Sequence, residues 1–108
     1  MDIIKSLAED LGLEEEDVHR LILTFLETTE QDLLLLNQAY SQKDAERLRA
    51  TAHHIKGAAR NLELNEIAEA AMAIEEKAGS GIVEDPAVAI QSIRKRLELI
   101  RSELSVQD

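Results

Sequence analysis

The chain has 108 residues, no cysteine, and 22 acidic against 12 basic residues, for a formal net charge of -10. That length supports one domain, 1-108, with a single core, and the missing thiols exclude disulfides and thiolate metal sites. The acidic balance, with Phe25 and Tyr40 as the sole aromatics, excludes a phosphate-backbone-binding surface and a base-stacking platform, so no nucleic-acid partner is expected.

The start, Met1-Asp2-Ile3-Ile4-Lys5, has no apolar signal core behind a basic end. The longest aliphatic run, Leu33 to Leu36, is too short to span a bilayer. A cytoplasmic protein without a membrane partner is therefore expected.

Glycine and proline are scarce, while Ala, Leu, Glu, Lys and Arg dominate, which predicts an all-α chain. A short first helix is expected over about Asp2 to Leu11, with Ile3, Ile4, Leu7 and Leu11 on one stripe and Gly12 as a left-handed C-cap. A second runs from about Glu14 to Tyr40. Its acidic start, Glu14 to Asp17, suits the positive end of the helix dipole, and Val18, Leu21, Ile22, Phe25, Leu33, Leu36 and Tyr40 form its apolar face. The Leu33-Leu36 run faces every direction, so part of it meets either the first helix or a partner.

Ser41 and Asp44 resemble a capping box that opens a third helix, about Gln42 to Leu62. Its stripe is Ala45, Leu48, Ala52, Ile55, Ala59 and Leu62, in unbroken steps of three and four. A fourth helix, about Asn65 to Ala78, carries Ile67, Ala71, Ile74 and Ala78 and is stopped by Gly79-Ser80-Gly81. Asp85-Pro86 is an N-cap and first-turn proline for a last helix with Ile90, Ile93, Leu97, Ile100 and Leu104. Four long amphipathic helices with short connections predict an antiparallel four-helix bundle, with the short additional N-terminal helix covering one end or side.

The chemistry lies in Ala52-His53-His54-Ile55-Lys56-Gly57-Ala58-Ala59-Arg60-Asn61-Leu62. A glycine inside a helix is unfavourable by up to about 1 kcal/mol against alanine, so Gly57 needs a reason. With the core stripe fixing the inward direction, His53, Gly57 and Arg60 point outward. Arg49, His53, Lys56 and Arg60 line one side at the spacings where helix neighbours meet. His54 falls on the other flank, beside Ala50, Ala58 and Asn61, and reads as a boundary histidine. Adjacent helical residues diverge, so His53 and His54 cannot share a metal ion. His19 reads as a solvated helix residue.

A neutral imidazole is a competent nucleophile near neutral pH. Phosphoryl transfer is mostly positioning and charge stabilisation, which Lys56, one turn away, can supply. A missing side chain at Gly57 admits another protein's active site to the imidazole. Arg49 and Arg60 are supporting charges, or else simply pair with surface carboxylates.

His-x-x-Lys-Gly on a bundle helix, preceded by Ala and followed by small residues and a leucine, resembles the signature of histidine-containing phosphotransfer (HPt) domains. The resemblance covers the chain in helix order and in the placement of the motif helix. It departs at Glu63, where the family commonly has glycine at the turn into the next helix. The resemblance implies a phosphorelay intermediate with His53 as phosphoacceptor, Lys56 stabilising the phosphoryl charge and Gly57 giving steric access. It implies receiver domains of response regulators and a sensor histidine kinase as partners, and no ATP-dependent kinase activity. No cofactor of its own and no metal are expected, the Mg²⁺ belonging to the partner receiver. A monomer is expected. Two other readings stand beside it: a non-catalytic helical interaction module, and the phosphoacceptor bundle of a histidine kinase. The latter resembles a histidine followed by an acidic residue and then proline, unlike His53-His54-Ile55-Lys56-Gly57.

Overall fold

The computed structural model describes residues 2-107, and side chains for residues 2-105. Five α-helices and no strand occur among them: α1 (Ile3-Leu11), α2 (Glu15-Ser41), α3 (Ala45-Asn61), α4 (Asn65-Gly79) and α5 (Ala87-Gln107). At about 1.5 Å per residue, the 27 residues of α2 account for the long dimension of a body 41 × 23 × 18 Å.

The helix ends follow local chemistry. Asp2 caps α1 through its carboxylate, which accepts the Lys5 N-H, and Gly12 closes it at φ 67°. α2 begins without a side-chain cap, and Glu15, Glu16 and Asp17 set negative charge against the exposed N-H groups instead. The predicted capping box does not form. Ser41 belongs to the last turn of α2, Lys43 takes the left-handed conformation (φ 55°), and the Asp44 N-H returns to the Ala39 carbonyl at 2.9 Å. Asp44 alone caps α3, accepting the Arg47 N-H at 3.1 Å, so α3 opens at Ala45 rather than Gln42.

The turn between α3 and α4 repeats this construction. Glu63 takes φ 58°, and the Leu64 N-H reaches the Ala59 carbonyl at 2.8 Å. The expected departure from glycine is thus a side chain carried in a left-handed turn. Gly81 (φ 81°) ends the run after α4. Asp85 accepts the Ala87 N-H at 3.0 Å, and α5 starts just after Pro86.

Packing follows the apolar stripes. α3 lies between α2 and α4, α5 contacts α4 and α2, and α1 packs on α2. Ile3 and Leu7 of α1 also line a pocket with Leu62 and Leu64, so α1 covers the end where the α3-α4 turn lies. Every predicted apolar position of α5 is buried, as are Leu48, Ala52, Ile55, Ala59 and Leu62. On α2, Leu21 is exposed and Leu26 and Ala39 are buried instead. Leu33 and Leu36 are fully buried, whereas Leu34 and Leu35 remain exposed, uncovered by α1. Two arginines of α5, Arg94 and Arg101, pair with Glu30 of α2.

Candidate functional site

Leu48, Ala52, Ile55 and Ala59 pull one face of α3 into the core, and that choice fixes where every other side chain of the helix points. His53 is turned outward, with 63% of its side chain accessible. Its Nδ1 donates to Glu75 Oε2 of α4 at 2.5 Å. The other carboxylate oxygen, Oε1, accepts from Lys56 Nζ at 2.5 Å. One carboxylate therefore joins the predicted nucleophile to the predicted cation.

Glu75 is ionised in this arrangement. Its hydrogen bond from Lys56 holds its carboxyl below the ordinary value of 4.5 against the opposing effect of burial, and the bond from His53 adds to the lowering. An ionised carboxylate only accepts, so the hydrogen in this contact belongs to His53 Nδ1, which leaves Nε2 outside it.

Lys56 is less open than the sequence suggests. Its side chain is only 16% accessible and is engaged with Glu75. The reason is positional: it flanks the stripe where α3 meets α4, and Glu75 comes from that neighbour. Gly57 lies in open space, since a Cβ placed there meets nothing within 4 Å. The supporting arginines diverge. Arg49 is held by Glu46 through both guanidinium and carboxylate ends, at 2.6 and 3.2 Å. Arg60 makes no ion pair among the described residues and rests its guanidinium 3.8 Å from the Met72 sulfur.

His54 diverges to the other flank, as its register predicts, but it is not a plain boundary residue. Its Nδ1 is 2.7 Å from Asp32 Oδ2 of α2, whose side chain is 11% accessible. Glu75 and Asp32 are the two residues at this site that sequence reasoning missed. Each reaches its histidine across a helix-helix contact, from 22 positions away.

A family model of the Hpt domain matches residues 20-105, from the first turns of α2 nearly to the end of α5. The chain belongs to the Hpt domain family. As an Hpt domain, it is a phosphorelay intermediate. It is similar to the crystal structure of histidine-containing phosphotransfer protein B from Pseudomonas aeruginosa, with a TM-score of 0.80 and 27% identity over 97% of this chain and 89% of that one. Comparison with curated protein sequences gives no match. Among the described residues of this Hpt domain, no helix is long and apolar enough to cross a membrane. No group of three or more His, Cys, Asp or Glu side chains there is placed to hold a metal ion.

Proposed function

We propose that His53 is the phosphoacceptor of this Hpt domain, taking a phosphoryl group from a receiver aspartate, or from a histidine kinase, and passing it to another receiver. The observation that carries the reading is the exposed His53 ring whose Nδ1 is occupied by Glu75, beside the open space at Gly57. The Nε2 lone pair attacks phosphorus, the acyl-phosphate P-O bond breaks, and its electron pair returns to the receiver carboxylate. Lys56 supplies positive charge to the phosphoryl oxygens while anchored by Glu75. Gly57 leaves room for the receiver, and Arg60 is the better placed of the two supporting arginines, because Arg49 is committed to Glu46.

In this reading residues 1-108 form one domain, an antiparallel four-helix bundle of α2 to α5 with α1 across one end. It acts as a cytoplasmic monomer that binds neither nucleic acid nor membrane. It is a phosphocarrier without ATP-dependent kinase activity or a cofactor of its own, and Mg²⁺ is supplied by the receiver. The test is labelling by a panel of phosphorylated receiver domains, with the site located by mass spectrometry. His53→Gln abolishes acid-labile phosphate with helical content intact, and His54→Gln retains most of it. Activity in His53→Gln with loss in His54→Gln refutes the assignment.

A further inference from the structure

Met72 lies beside the site and has no part in the transfer described above. Resting on the reading of His53 as the phosphoacceptor, we propose that Met72 is an oxidation-sensitive modification site, whose sulfoxide holds the Arg60 guanidinium on α4 and away from a docking receiver.

Two helices bring the pair together. On α3, Arg60 stands one turn beyond Gly57 and two beyond His53. Helical side chains lean toward the N-terminus, so its guanidinium is directed back along the stripe that holds Lys56 and His53. It comes to rest 3.8 Å from the Met72 sulfur. On α4, Met72 is one turn before Glu75, the carboxylate that His53 and Lys56 share. An exposed arginine thus reaches to within a turn of that carboxylate, with a half-buried thioether as its support. A thioether sulfur is only a weak acceptor. The guanidinium can therefore leave it for a stronger partner, such as a carboxylate or phosphoryl oxygen of a receiver.

Oxidation reverses that preference. A peroxide gives one oxygen atom to the thioether: the O-O bond breaks, a sulfur lone pair forms the S-O bond, and the second peroxide oxygen leaves as water or an alcohol. Sulfur is oxidised by two electrons and the peroxide is reduced by two. The new sulfoxide oxygen accepts from the guanidinium in a charge-assisted bond, roughly twice as strong as a neutral one. Arg60 is then fastened to α4. Nothing nearby replaces it, because Lys56 is engaged with Glu75 and Arg49 with Glu46. Of the three cations in the stripe, Arg60 is the one without a carboxylate partner among the described residues. The change is reversible, since sulfoxide reductases restore the thioether while two thiols become a disulfide and the oxygen leaves as water.

The full chain is treated with hydrogen peroxide, the added oxygen is located by mass spectrometry, and single-turnover transfer from a phosphorylated receiver is compared before and after. Oxidised wild type should transfer roughly threefold to tenfold more slowly, a smaller loss than that of a preorganised donor because Arg60 is exposed. Met72→Gln, whose amide oxygen stands in for the sulfoxide, should be slow without treatment. Met72→Leu, which keeps Met1 as its only methionine, should not respond to peroxide. Sulfoxide reductase with a dithiol should restore the wild-type rate. Arg60→Ala should start slow and slow no further when Met72 is oxidised. Unchanged transfer by a chain carrying oxygen on Met72 overturns the proposal. So does equal slowing with and without Arg60, which marks a packing defect, and so does a Met72 that resists peroxide while Met1 reacts. Capture of Arg60 also has a readout of its own in the nitrogen NMR signals of its guanidinium, which should shift on oxidation as the group stops turning freely. If His53 takes no label from any receiver, the phosphoacceptor reading fails by itself. Guanidinium signals that shift still uphold the capture in that case, and signals untouched by oxidation overturn it.

Discussion

Replacing Gly57 by glutamine should move stability and function in opposite directions. Gly57 sits inside α3 with helical neighbours on both sides, and a Cβ there meets nothing within 4 Å. No clash therefore offsets the gain from restricting the unfolded backbone, and the substitution should stabilise by about 0.5-1 kcal/mol. In a domain of this size that raises the melting temperature by roughly 2-8 °C. Side chains on a helix lean toward its N-terminus, so the new side chain inclines toward His53, one turn earlier. Under the proposed function, it then occupies the space a receiver would enter to bring its aspartyl phosphate within bonding reach. Thermal unfolding followed by circular dichroism measures the first effect. Single-turnover transfer from a phosphorylated receiver measures the second, and labelling by phosphoramidate, which docks no protein, should suffer less. Transfer at the wild-type rate would refute the access role of Gly57. A lowered melting temperature would refute the open-space argument.

Other outcomes follow from the same geometry. Lys56→Ala should slow transfer, by up to roughly a hundredfold, and lower stability by about 1 kcal/mol, since it strips Glu75 of its cation; unchanged receiver kinetics would reduce Lys56 to an ion-pair partner. His54→Ala should destabilise by about 1-3 kcal/mol, because the buried Asp32 carboxylate loses its hydrogen-bond partner; denaturant titration beside His54→Gln would measure it. The Glu75 carboxyl is lowered on folding, so its contribution is present above the ordinary value of 4.5 and lost as pH falls through the folded value. Acid unfolding of Glu75→Gln should accordingly lack that component. Glu63→Gly should raise the melting temperature by a few degrees, relieving a side chain at φ 58° and a carboxyl raised by its neighbour Asp10. Incubation with ATP and Mg²⁺ alone should leave the purified chain unlabelled.

Much of this molecule was legible in the spacing of its apolar residues. The stripe from Leu48 to Leu62 fixed the rotation of α3, and with it the outward direction of His53 and Gly57. The stripe of α5 is buried at every position expected. Local signals failed where two explanations shared the same residues. Ser41 and Asp44 match a capping box in composition, but Ser41 was already spent in α2, and the left-handed residue at Lys43 carries no sequence mark. Lys56 looked free because a wheel drawn for one helix contains no neighbour. Glu75 was within reach of reasoning all the same. Counting equal lengths back along α3 and forward along α4 from Glu63 brings His53 level with Ala73 to Glu75, and Ile74 shows which face of α4 turns inward. Asp32 gave less signal, since an acidic residue inside a leucine-rich stretch reads as solvated until the opposing helix is known.

The two neighbouring histidines have a mechanical consequence. His53 is fastened to α4 through Glu75 and His54 to α2 through Asp32, so α3 is moored on both sides at one level along its axis. Rolling the helix toward either neighbour slackens one mooring as it compresses the other. The aim of the His53 imidazole is thus set by the torsional stiffness of three helices together. Under the proposed function, a receiver that docks here would meet a nucleophile already held in orientation, with little conformational entropy left to surrender on encounter.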